Sequence, residues 1–141
     1  MPARKKRPAK FNFAPFSEQQ RRLIHWWRPG LRTAESNYVV ADGSIRSGKT
    51  IACIIGFLTW SQEMFSGQSF ILAGKTMSAL KRNVVRPMQQ ILEAWGWPYE
   101  YIRSGSEARL EIGSNTYYLY GANTEASQDA LQGLTAAGAY L

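Results

Sequence analysis

The chain has 141 residues, with 17 Lys and Arg against 10 Asp and Glu, one His and one Cys. That length fits one compact domain or a piece of a larger one, and a hydrophobic content of 45% excludes wholesale disorder. One cysteine excludes an internal disulfide framework and a cysteine-rich zinc site, and fits a reducing compartment. No apolar run approaches the roughly 18–20 residues of a bilayer span, and no apolar stretch follows the N-terminal bases as in a secretory signal.

The formal charge of +7 is unevenly placed. Residues 1–32 hold nine of the bases (Arg4, Lys5, Lys6, Arg7, Lys10, Arg21, Arg22, Arg28 and Arg32) but a single acid, Glu18. Basicity therefore belongs to a leading arm and the segment behind it. Two readings of residues 4–10 stand side by side: contact with a polyanion, where each phosphate contact releases counterions, or a solvated tail.

Residues 1–15 read as a flexible arm, with Pro2, Pro8 and Pro15 among clustered charges. A helix is expected from Ser17 to about Trp27, because Ser17 and Gln20 have the spacing of a capping box. Tyr38-Val39-Val40-Ala41 is β-branched and apolar, and reads as a short buried strand leading into Gly43. Ile51 to Leu58 is apolar nearly all round and predicts a buried helix. Gln68 to Ala73 predicts a second strand. A second helix follows from about Ser78 to Trp95, kinked or divided by Pro87. Leu110 to Tyr120 predicts a hairpin around Gly113-Ser114-Asn115. Ala126 to Leu134 predicts a short helix, and Ala136 to Leu141 the beginning of another buried strand. Strands alternating with helices imply an α/β fold with a mainly parallel sheet.

Gly43-Ser44-Ile45-Arg46-Ser47-Gly48-Lys49-Thr50 matches the phosphate-loop pattern G-x-x-x-x-G-K-[ST] at every fixed position. Glycines let backbone N–H groups converge on phosphate oxygens. The helix behind the loop adds its positive end. Lys49 supplies a point charge for the β- and γ-phosphates, and the Thr50 hydroxyl is a hard oxygen ligand for magnesium. The expected cofactors are ATP and Mg2+. Arg46 has two readings: a guanidinium reaching the γ-phosphate, or a solvated loop residue.

The loop, taken with Phe16-Ser17-Glu18-Gln19-Gln20 ahead of it, resembles the large subunit of tailed-phage terminases, the prophage type in particular. So do Ile71-Leu72-Ala73-Gly74-Lys75-Thr76 with Lys81-Arg82-Asn83-Val84 behind it, and Leu131-Gln132-Gly133-Leu134-Thr135 near the end. The resemblance covers about residues 16–141 and leaves the arm outside. It implies a P-loop ATPase domain, part of a motor that drives double-stranded DNA into a capsid. It further implies that Gln20, or its neighbour Gln19, contacts the adenine. Gly43 to Thr50 would hold phosphates and magnesium, and Arg46 would stand at the arginine position of terminase loops. The implied partners are double-stranded DNA, a portal protein and a small terminase subunit, with a homo-oligomer in the full-length parent. The implied location is the host cytoplasm, with no membrane.

One departure bears on activity. In the resembled family the strand matching Ala139-Tyr140-Leu141 runs into an Asp-Glu pair that holds magnesium and activates water. Here no acid ends an apolar run in that way, for Asp42 abuts the phosphate loop and Glu125 and Asp129 lie in polar surroundings. Nor is there an acidic cluster of the two-metal nuclease kind. The chain thus reads as the front third of a terminase. The alternatives are another P-loop ATPase of helicase or kinase type, or a non-catalytic remnant that binds DNA.

The remaining candidates have structural readings beside functional ones. His25 is the only histidine, so no histidine-based metal site is expected. Cys53 reads as a small core residue. Trp26, Trp27, Trp60, Trp95 and Trp97 read as core or a docking face rather than as base-stacking platforms. Lys81, Arg82 and Arg86 form a basic stretch, either a phosphate contact or a solvated helix face.

Overall fold

A computed structural model describes residues 15–36, 39–41, 48–103, 108–121 and 136–140. The arm, the expected helix at Ala126–Leu134 and most of the phosphate loop, Gly43 to Ser47, lie outside the described residues.

The first helix, α1, spans Glu18–His25. Its start is the predicted capping box: Ser17 Oγ accepts from the Gln20 N–H at 3.2 Å, and Gln20 Oε1 accepts from the Ser17 N–H at 2.8 Å. Two backbone donors that a helix start leaves open are thereby satisfied. A short 3-10 turn follows at Arg32–Glu35.

The long helix α2, Lys49–Met64, carries the apolar run and buries Ala52, Ile54, Ile55, Phe57 and Leu58. Strand β1, Ser69–Gly74, then alternates, with Phe70 and Leu72 fully enclosed.

The second helical stretch changes its winding just before Pro87, where the sequence predicts a kink or division. Helix α3, Met77–Leu80, passes into one turn of π-helix at Lys81–Val85 and then into α4, Arg86–Trp95. Proline has no N–H to donate, and its ring crowds the carbonyl four residues back. The wider π turn, in which the Arg86 N–H reaches Lys81 O, absorbs both effects without ending the helix.

Strand β2, Tyr99–Ile102, is an element the sequence reading leaves out. Strands β3, Arg109–Ile112, and β4, Asn115–Gly121, make the predicted hairpin, with Ile112 opposite Asn115. Strand β5, Gly138–Tyr140, is the predicted final run.

The sheet order is β2-β3-β4-β1-β5. β1 pairs in parallel with β4 and β5, while β3 is antiparallel to β2 and β4. Only β3 therefore runs against the rest, and the sheet is mostly parallel. Phe57 and Leu58 of α2 and Met88, Ile91 and Leu92 of α4 share one buried cluster with Phe70, Leu72, Leu110, Ile112, Tyr117 and Leu119 of the sheet.

One expected strand does not form. Residues 39–41 are irregular, Val40 is 87% exposed and Val39 45%; Tyr38 lies outside the described residues. A β-branched run becomes a strand only by pairing with an edge. Both edges of β1 are occupied, by β4 and β5, and the three-residue β5 pairs with no described residue on its other side.

Candidate functional site

The direction of α2 follows from its C-terminal contacts. Asn115, at the start of β4, donates through Nδ2 to Ser61 O and Phe65 O at 3.0 and 3.2 Å, and accepts from the Gln68 N–H at 3.0 Å. The end of α2 is thus tied to the N-terminal ends of β4 and β1. With a rise of 1.5 Å per residue, the start of α2 stands about 24 Å away, towards the C-terminal ends of the parallel strands. Ligands of open α/β sheets bind at that end.

Gly48 is the residue before α2 and has φ +77°, a left-handed conformation that glycine adopts without strain. Gly48, the N-cap, has no side chain to close this helix start, and no acid lies in its first turn. The N–H groups and the positive end of the dipole at the head of such a helix attract an anion. The Gly48 carbonyl accepts from the Ala52 N–H at 3.2 Å and from Gln20 Nε2 at 3.2 Å. A Cβ placed on Gly48 would overlap that amide nitrogen. Lys49 is half-buried and Thr50 exposed on the first turn. Gln20, Gly48, Lys49 and Thr50 are thus brought together, whereas Gly43, Ser44, Ile45, Arg46 and Ser47 fall outside the described residues. Gln19, the other candidate, is exposed.

Helix α1 is seated by a close approach. Gly56 of α2 faces the backbone of Leu23 and Ile24, and a Cβ there would stand 2.5 Å from the Leu23 carbonyl oxygen. Any larger residue would lift α1, and with it Gln20, away from Gly48.

One turn beyond Lys49, Cys53 is half-buried; burial pushes its thiol up, opposed in part by the Lys49 charge. It is a packing residue at the rim of the core, not an activated nucleophile. Burial, and secondarily Cys53, pushes the Tyr140 phenol up to about 12. His25 accepts at Nδ1 from Arg28 Nε at 3.0 Å, and its pKa is lowered by burial and then by Arg28 and Arg21. The described residues contain no group of three His, Cys, Asp or Glu able to hold a metal. Thr50, the magnesium candidate, is exposed beside Lys49.

Trp26, Trp60, Trp95 and Trp97 pack on aromatic neighbours, while Trp27 lies beneath the Arg28 guanidinium. Trp60 lies 5.1 Å from Phe65 and 5.8 Å from both Phe70 and Trp26, and Trp95 lies 4.8 Å from Trp97. Lys75, Lys81, Arg82 and Arg86 are exposed, and none is in an ion pair among the described residues. The π turn presents Lys81, Arg82 and Asn83 to solvent while Val84 and Val85 turn inward. Clefts of about 430 and 420 Å³ are lined by other residues, the first by Trp97, Tyr99, Glu100 and Glu111 among others, the second by Trp27, Arg28 and Glu63. No helix among the described residues is long and apolar enough to cross a membrane.

No protein-family model matches the chain, and no curated protein does. Among solved structures it is similar to the large terminase of a thermophilic bacteriophage. In one crystal form the identity is 37% over 89% of this chain and 32% of that one, with a TM-score of 0.82. The same protein in complex with ADP gives 36%, 89%, 31% and 0.77, and in complex with ATP-gamma-S 34%, 89%, 30% and 0.76. The chain therefore spans about a third of the length of these proteins. Over that third, the chain is similar in both sequence and fold to the phage large terminase.

Proposed function

We propose that this chain carries the ATP phosphate-binding part of a terminase large subunit, the motor that packages double-stranded viral DNA. The observation that carries the reading is the start of α2 at the left-handed Gly48. Gly48, Lys49 and Thr50 complete the pattern begun at Gly43, and the helix behind them is buried against a mostly parallel sheet. The phage enzyme's complexes with ADP and ATP-gamma-S support a nucleotide as the ligand.

In this reading, backbone N–H groups at the head of α2 hold the phosphates and Lys49 neutralises charge on the β- and γ-oxygens. Arg46 adds a second positive charge near the γ-phosphate. Thr50 offers its hydroxyl to Mg2+, which when bound neutralises charge on the β- and γ-phosphates. Turnover depends on an Asp-Glu pair that the resemblance places directly after the Ala139-Tyr140-Leu141 run. DNA would lie against the bases of the arm, Arg4 to Lys10, and along the exposed Lys75, Lys81, Arg82 and Arg86. A portal protein, a small terminase subunit and further copies of the large subunit would be partners in the host cytoplasm.

Equilibrium titration with Mg-ATP tests the reading. Saturable binding is expected, weakened roughly 10- to 100-fold by Lys49→Ala, the loss of a hydrogen-bonded charge. Binding unchanged by Lys49→Ala, or no binding by the intact chain, would reject it and leave a DNA-binding remnant as the better description.

A further inference from the structure

Gln20 engages both ends of its amide within the chain. Its oxygen accepts from the Ser17 N–H and its nitrogen donates to the Gly48 carbonyl. One partner is a donor and the other an acceptor, so only one orientation of the amide satisfies both. Gln20 therefore joins the start of α1 to the last glycine of the phosphate loop, 28 residues away.

From this arrangement we infer that Gln20 is a positioning residue for the phosphate loop. It acts through Gly48 on the triphosphate, whatever base is attached. The inference rests on the nucleotide-binding reading above and gives Gln20 a role different from an adenine contact.

The constraints at Gly48 converge. Its carbonyl is fixed by the first hydrogen bond of α2 and by Gln20, using both acceptor sites. The Gln20 amide fills the space a Cβ would need, so closeness and the left-handed φ both demand glycine. Helix α1 cannot drift, because Leu23 rests on Gly56. The entry to α2 is thus set before a ligand arrives, and its N–H groups are aimed without further ordering cost.

The test compares Mg2+ complexes of ATP, GTP and inorganic tripolyphosphate on the full chain. Gln20→Ala is expected to weaken all three by the same factor, about 3- to 10-fold, the effect of one hydrogen bond. Ser17→Ala weakens the same helix start but leaves the Gly48 contact, and should keep all three within about 2-fold of wild type. Loss confined to ATP would make Gln20 a base contact and overturn the inference. So would equal losses from Ser17→Ala, or no loss at all. Lys49→Ala should weaken every ligand, which tests the nucleotide reading separately. A readout without nucleotide tests the contact itself. Gln20→Glu keeps an acceptor for the Ser17 N–H but removes the donor to Gly48. Hydrogen exchange in residues 48–55 should quicken, and an unchanged rate there would overturn the inference even if no ligand bound.

Discussion

The Tyr117 hydroxyl lies 2.5 Å from Ser61 Oγ, and Gln62 Nε2 donates to the same hydroxyl at 2.9 Å. This buried group bolts the last turns of α2 to the middle of β4, and so fixes how far the other end of α2 projects. Every buried polar side-chain atom among the described residues has a partner, as a core of native quality requires. Tyr117→Phe keeps the ring stacked on Phe70 and removes only the hydroxyl. It should cost about 1–2 kcal/mol, read as a lower urea midpoint with an unchanged slope. No loss of stability would show that the bolt is dispensable.

Gly56→Ala should destabilise the chain by about 1–3 kcal/mol, since the added methyl meets the Leu23 carbonyl oxygen and overpacks the helix contact. It should also weaken ATP binding by the mechanism argued for Gln20. Thermal melting and titration of the one variant check both effects.

Sequence patterns found the elements that are locally encoded. The capping box at Ser17 and Gln20, the apolar run of α2, the apolar residues of β1 and the break before Pro87 each follow from residues close together in the chain. Three features were not legible. Tyr99-Glu100-Tyr101-Ile102 alternates weakly and becomes β2 only because β3 offers it an edge. Val39 and Val40 have strand composition, yet they pair with no described strand. The Gln20 contact with Gly48 joins residues far apart in sequence, and no local signal announces it. At the candidate site, the spacing of Gly48, Lys49 and Thr50 identified the helix start, while the seating of α1 on Gly56 needed coordinates.

Stability should fall at alkaline pH with a sign set by two tyrosines. Burial is the main cause that pushes Tyr99 and Tyr140 up to about 12, with Glu93 reinforcing it at Tyr99 and Cys53 at Tyr140. In the unfolded chain both ionise near 10. The folded state therefore binds more protons between those values, so the stabilisation is whole below pH 10 and is lost as pH rises towards 12. Tyr140→Phe keeps the ring on Phe57 and should make the fall of melting temperature shallower in that window. An identical fall would remove Tyr140 from the explanation.

Neutralising Lys81 and Arg82 together, as Lys81→Gln/Arg82→Gln, should weaken DNA binding similarly for unrelated sequences. The slope of log affinity against log salt should become shallower by about 2, near 0.9 per lost phosphate contact. Both side chains are exposed on the π turn, so folding should be unaffected. An unchanged slope would make them an ordinary solvated face.

Hydrogen exchange with and without Mg-ATP-gamma-S tests the central claim most directly, because it reports where the nucleotide sits. The slowing should concentrate in residues 43–52, the loop and the first turn of α2, and should vanish in Lys49→Ala. Slowing confined to the Trp97–Tyr99 cleft or to the arm, or none at saturating nucleotide, would contradict the assignment of the site.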